Sequence, residues 1–110
     1  MERVGFTMRL LPGQEAEYRR RHAVVWPEML AALTAAGCRD YSIFIRGSDL
    51  FAYLVVDDFA AFRASMAASE VNARWQAEMA SLIDPLTDPE TGFHQRLEEI
   101  FHVDRATDER

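Results

Sequence analysis

The sequence predicts an α+β domain in which helices cover one face of a four-stranded antiparallel sheet. Three observations predict it: strand-type apolar patterns at both ends and in the middle, two long helix-type stretches between them, and Gly- or Pro-bearing turns at the junctions. Val4, Phe6, Met8 and Leu10 alternate with Gly5, Thr7 and Arg9, the period of two of a half-buried strand. Pro12-Gly13 ends it. From about Gln14 to Ala36 the chain is rich in Glu, Arg, Ala, Leu and Met and reads as helix. Pro27 lacks an N–H and clashes with the preceding turn, so a kink or a fresh helix start is expected there. Gly37 is a natural stop.

Arg39 to Ile45 reads as a second strand, Arg46-Gly47-Ser48-Asp49 as a turn, and Leu50 to Val56 as the other arm of a hairpin. Asp57-Asp58 before Phe59 is an N-cap signal for a second helical region through Phe62, Met66, Val71, Trp75 and Met79 to about Ile83, with a break near Ser69. Pro85 and Pro89 mark a loop. Leu97 to Val103 reads as the last strand. The order is β-α-β-β-α-β, a ferredoxin-like unit. Residues 1–104 are expected to form one domain and 105–110 a polar, frayed tail.

The third strand is apolar on both sides, with Phe51, Tyr53 and Val55 alternating against Leu50, Ala52, Leu54 and Val56. One layer of helices covers only one side. A second copy of the chain is the simplest cover for the other, so a homodimer is expected, as in dimeric α/β-barrels.

Composition removes many chemistries. The 110 residues carry 12 basic and 18 acidic side chains, a net charge of −6, which argues against a nucleic-acid partner. All the basic residues are Arg, so Schiff-base and Walker-A chemistry are excluded. Cys38 is the single cysteine, with no partner for an internal disulfide. No apolar stretch has signal-peptide or membrane-spanning length, so a cytoplasmic protein with no membrane partner is expected. His22, His94 and His102 are scattered without metal-ligand spacing, and no metal site is expected.

The strongest constellation is Tyr18, His22 and Trp26, each four residues apart. On a helix i and i+4 share a face, so Tyr18 and His22 project together, and Trp26 joins them only if the helix persists to Pro27. A His near neutrality moves protons, Tyr offers a hydroxyl and Trp a flat apolar face, a set suited to a sugar. The same spacing also fits plain packing. Tyr41 can point to a pocket or to the core, and Trp75 lies on an amphipathic helix where core packing is the simpler role. His102 reads as structural, His94 as solvated, Met29 and Met66 as core, and Arg19-Arg20-Arg21 as a solvated surface.

Glu17-Tyr18-Arg19-Arg20-Arg21-His22, Trp26-Pro27-Glu28, Tyr41-Ser42-Ile43-Phe44 and Leu97-Glu98-Glu99-Ile100-Phe101-His102 together resemble the L-rhamnose mutarotases, from about Val4 to Asp104. The resemblance implies a dimeric ferredoxin-like enzyme that uses no metal or organic cofactor and interconverts the α and β anomers of L-rhamnose. It puts the proton-donating His at His22 and sugar-contacting tyrosines at Tyr18 and Tyr41. It puts a sugar-contacting Trp-Trp pair at Trp75 and Gln76. Gln76 replaces a stacking face with two donors and an acceptor, so a related 6-deoxy-L-hexose such as L-fucose remains open as substrate. Fold alone does not fix function. A cofactor-free monooxygenase, a haem-handling protein using His22 or His102, and a non-catalytic sugar-binding module are the alternatives.

Overall fold

The alternation at the N-terminus becomes β1 (Glu2–Arg9), which buries Val4, Phe6 and Met8 and turns Arg3, Gly5 and Thr7 the other way. The computed structural model describes residues 1–85 and 96–104. Pro89, His94 and the tail 105–110 lie outside the described residues. After β1 come α1 (Glu15–Ala23), α2 (Pro27–Ala35), β2 (Cys38–Arg46), β3 (Asp49–Val56), α3 (Phe59–Ala67), α4 (Glu70–Ala80) and the two-residue β4 (Arg96–Leu97). The sheet order is β2-β3-β1-β4 and every neighbouring pair is antiparallel, as a ferredoxin-like unit requires.

The expected interruptions appear as complete breaks. Pro27 opens α2 with Trp26 as its cap residue, so α1 and α2 are separate helices. Ser69 begins α4, its hydroxyl accepting from Asn72 N at 3.2 Å, and Asp58 begins α3 by accepting from Ala61 N at 2.9 Å. Asp58→Ala should lower stability by about 1 kcal/mol, and thermal unfolding should show it as a Tm lower by about 4–8 °C. The second helical region ends at Ala80, short of the expected Ile83. Leu82 and Ile83 are buried instead at the end of β1, where Leu11 N donates to Leu82 O and Asp84 N to Arg9 O, each at 2.8 Å.

Register puts two different surfaces on the sheet. Val4, Leu54 and Tyr41 form one row toward the helices, with Phe6, Ala52 and Ile43 beside it and Met8, Leu50 and Ile45 next. Phe62, Met66, Trp75, Met79 and Met29 cover that side. The opposite side carries Phe44, Phe51, Tyr53 and Leu97, all exposed. Both sides of β3 are apolar, as its sequence predicts, and the second side has no cover within the described chain.

The last strand differs from expectation. Only Arg96–Leu97 pairs with β1, opposite Phe6 and Gly5, and Glu98–Val103 lies outside the ladder. Ile100, Phe101 and Val103 have strand-type side chains but 89%, 81% and 61% of their surfaces stay exposed. Among the described residues no helix is long and apolar enough to cross a membrane.

Candidate functional site

The site is built where the last turn of α1 meets α4 and the start of β2. Tyr18 and His22 sit one turn apart on α1, and their rings stack with centroids 4.1 Å apart. Trp75 of α4 meets the imidazole edge-on at 5.3 Å, so the His22 ring lies between two aromatic surfaces. The i,i+4 spacing foretold the first contact, and tertiary packing alone supplies the second.

The helix also fixes the tautomer. His22 Nδ1 lies 3.0 Å from the Tyr18 carbonyl oxygen, which can only accept. Nδ1 therefore donates, and Nε2 of the neutral ring keeps a free lone pair. Burial lowers the His22 pKa below its ordinary value, and the bond to the Tyr18 carbonyl opposes that shift in part. The imidazole is thus mostly neutral at pH 7.

Two phenols complete the polar set. Burial pushes the Tyr18 and Tyr41 hydroxyls up, and Tyr41 lies near enough to Tyr18 to add to its rise. Both stay protonated at any working pH. Among the described residues neither hydroxyl has a hydrogen-bond partner, and neither is a sealed-off polar atom. Tyr41 is half-buried and packs against the helix-side core.

Other expected residues fall differently. α1 ends at Ala23, so Trp26 leaves the Tyr18–His22 face. Its ring instead meets Trp75 edge-on at 5.1 Å, and Arg74 lies over it at 5.7 Å. Gln76 lies one position around α4 from Trp75, where its Nε2 donates to Asn72 Oδ1 at 3.2 Å. The Asn72 amide in turn donates to the Met66 carbonyl at 3.1 Å. His102 sits on the exposed Glu98–Val103 segment and not in the packed body. Burial pushes the Cys38 thiol up, which leaves it a poor nucleophile. Among the described residues no group of three His, Cys, Asp or Glu could hold a metal ion.

The Arg19-Arg20-Arg21 run is not uniformly a solvated surface. Arg21 is mostly covered. Its Nε donates to Glu17 at 2.6 Å, and its Nη1 donates to the Glu78 carbonyl and lies 3.5 Å from the Glu78 carboxylate. Arg20 donates to Glu17 as well, and the two guanidinium groups hold the Glu17 carboxyl down to about 2. This network ties α1 to α4 beside the His22–Trp75 contact. The Glu17–Arg21 spacing of four was its only signal in sequence.

The model of the L-rhamnose mutarotase family matches residues 3–103. The chain belongs to that family. An L-rhamnose mutarotase of Burkholderia orbicola (strain MC0-3) is 42% identical over 106 residues, spanning 94% of this chain and 100% of the relative. One of Listeria monocytogenes (serotype 4b, strain F2365) is 42% identical over 85 residues, spanning 76% and 81%. The crystal structure of the L-rhamnose mutarotase of Formosa agariphila superposes with a TM-score of 0.77 at 32% identity, covering 94% of this chain and 100% of that one. The tetracenomycin F2 cyclase of Streptomyces glaucescens, a type-II polyketide cyclase, superposes at 0.62 with 15% identity and shares the fold alone. In this L-rhamnose mutarotase family member the His22 imidazole lies between the Tyr18 and Trp75 rings.

Proposed function

We propose that the protein interconverts the α and β anomers of L-rhamnose, with His22 as the catalytic residue and Tyr18, Tyr41, Trp75 and Gln76 around the sugar. The observation that carries this reading is the His22 ring, held through Nδ1, with Nε2 and the two nearby hydroxyls without partners among the described residues. Membership of the mutarotase family supplies the reaction class.

Ring opening moves one proton from the anomeric hydroxyl O1 to the ring oxygen O5 while the C1–O5 bond breaks. Neutral Nε2 takes the O1 proton, the O1 electron pair forms the C1 carbonyl, and the imidazolium gives its proton to O5. Rotation about C1–C2 followed by the reverse steps closes the other anomer. His22 is thus acid toward the ring oxygen with the proton it took as a base. Both oxygens are bonded to the same carbon, so one nitrogen serves both. Tyr18 and Tyr41 orient ring hydroxyls, and Trp75 backs the imidazole. The Gln76 amide, with Nε2 held by Asn72, offers Oε1 to a sugar hydroxyl at the rim.

The test is NMR saturation transfer between the two anomeric protons of L-rhamnose, L-fucose and D-glucose, with and without protein. Acceleration is expected for L-rhamnose and not for glucose, and equal rates with and without protein for every sugar would sink the reading. The same experiment across pH should show kcat/KM rising to a plateau with a midpoint below 6.5, because the working form is the neutral ring and burial lowers its pKa. A profile that falls with rising pH through that range would assign the working form to the imidazolium. We further place the protein in the cytoplasm and as a homodimer, joined through the apolar sheet side that carries Phe44, Phe51 and Tyr53.

A further inference from the structure

α4 has two flanks around Trp75. A turn of about 100° per residue puts positions 74 and 78 on one side of that ring and positions 72 and 76 on the other. The first flank is occupied. Glu78 takes the Arg21 guanidinium and Arg74 lies over the Trp26 ring, so the junction of α1 and α2 stands against α4 there. The second flank carries Asn72 and Gln76, both half-buried, and their side-chain bonds run toward α3 rather than to α1 or α2. The His22–Trp75 contact lies between the two flanks.

The bonds on the second flank have a fixed direction. The two arms of an amide have the same shape, so their partners decide which arm goes where. The relay starts at the Met66 carbonyl in the last turn of α3, beyond the helical ladder, and a carbonyl can only accept. That oxygen also takes Ser69 N at 3.1 Å, which holds it from a second side. Asn72 therefore turns Nδ2 toward it, at 3.1 Å, and Oδ1 away. Oδ1 can only accept in turn, so Gln76 turns Nε2 toward it, at 3.2 Å. Gln76 Oε1 is left on the other arm of its amide, with no partner among the described residues. Reversing either amide, or both, would set like atoms against each other.

We propose that Asn72 is a positioning residue that fixes Gln76, from the Met66 carbonyl, to present Oε1 to the sugar as an acceptor, so that the site selects a sugar with a hydroxyl at that point. The sugar approaches the imidazole past this flank, because Arg21 and Trp26 take up the other. A free glutamine amide could turn either arm to its ligand. A fixed one leaves Oε1 without a partner whenever the hydroxyl is missing, which weakens binding of the deoxy analogue. The relay also orders the Gln76 side chain before the sugar arrives, so less rotamer freedom is lost on binding. The substrate class is thus a 6-deoxy-L-hexose that keeps its ring hydroxyl opposite α4. This inference rests on the mutarotase reading above for the presence of the sugar, and adds to it Asn72 and the direction of the amide.

Two measurements on the full chain test it. In the first, NMR follows exchange of the Gln76 side-chain amide hydrogens in the unaltered protein, Asn72→Leu and Asn72→Asp. Leucine cannot accept a hydrogen bond, so exchange should rise at least about tenfold. Aspartate still accepts, so exchange should stay within about threefold of the unaltered rate. Equal exchange in the unaltered protein and Asn72→Leu overturns the relay. In the second, saturation transfer gives KM and kcat for L-rhamnose and its three ring-deoxy analogues, which lack the hydroxyl of C2, C3 or C4. Asn72→Leu and Gln76→Met should each raise the L-rhamnose KM about five- to tenfold with kcat little changed, the mark of a lost binding contact rather than of disturbed proton transfer. For one analogue the KM gap to L-rhamnose, at least about fivefold in the unaltered protein, should close in both variants. Gln76→Met keeps helix propensity and side-chain length, so it carries this measurement alone if Asn72→Leu melts. Gaps that are the same in the unaltered protein and Gln76→Met, or a loss of kcat at unchanged KM, overturn the proposal. An unaltered protein that accelerates no sugar refutes the mutarotase reading instead, and the Gln76 amide exchange then still decides the relay.

Discussion

His22→Ala should reduce anomer exchange by about 10²–10⁴-fold, the range for a positioned acid–base group, while leaving the far-ultraviolet spectrum unchanged. Among the described residues the imidazole is the group placed between Tyr18 and Trp75 that both accepts and returns a proton near neutrality. Saturation transfer at saturating L-rhamnose reads the loss directly. Alanine is a strong helix former, so the last turn of α1 keeps its backbone bonds. A variant retaining full activity would move the proton relay to another group. A variant that unfolds would mark the ring as a packing element.

Leu54→Ala should be the most destabilising single truncation near the site, costing about 2–5 kcal/mol. Leu54 is fully buried at the centre of the sheet, paired with Val4 on one side and Tyr41 on the other. Removing its branch leaves a cavity that a strand held on both sides cannot close. A loss of that size is a large share of the roughly 5–15 kcal/mol that stabilises a domain. Chemical denaturation measures it as a lower midpoint at an unchanged slope. A cost under about 1 kcal/mol would mean that the neighbouring helices settle into the space.

Local signals in the sequence foretold most of the fold. The Val4–Leu10 alternation, Pro27, Gly47 between two apolar runs, the Asp58 cap and the break near Ser69 are each decided by neighbours in sequence, and each appears where its chemistry requires. The segment from Glu98 to Val103 reads as strand because its side chains are strand types, yet a strand also needs a neighbour. Residues 101–103 lie beyond the end of β1, and Glu98–Ile100 leave the ladder although Val4, Arg3 and Glu2 stand opposite them in register, which no local pattern reports. At the site, Tyr18 and His22 were legible because one helix presents both. Trp75 joins through the packing of α4 on α1, and Trp26 departs because α1 stops three residues before it. Arg21 looked like one more surface charge until Glu78 arrived from a distant part of the chain. The orientation of Tyr41 depended on which side of β2 faces the helices, which the second strand's own residues left undecided.

The placement of His22 in the final turn of α1 has a thermal consequence. A nine-residue helix whose start has no side-chain cap and whose end is followed by non-helical Val24 is where a fold opens first. The Tyr18 carbonyl and the imidazole belong to that one turn, so a transient fraying of it releases the ring before the sheet loses a single bond. Ion pairs from Arg21 to Glu17 and Glu78 are what oppose it, and salt weakens them. Catalysis should therefore fade on warming or in concentrated salt several degrees ahead of global melting, with amide exchange in residues 19–23 rising in step.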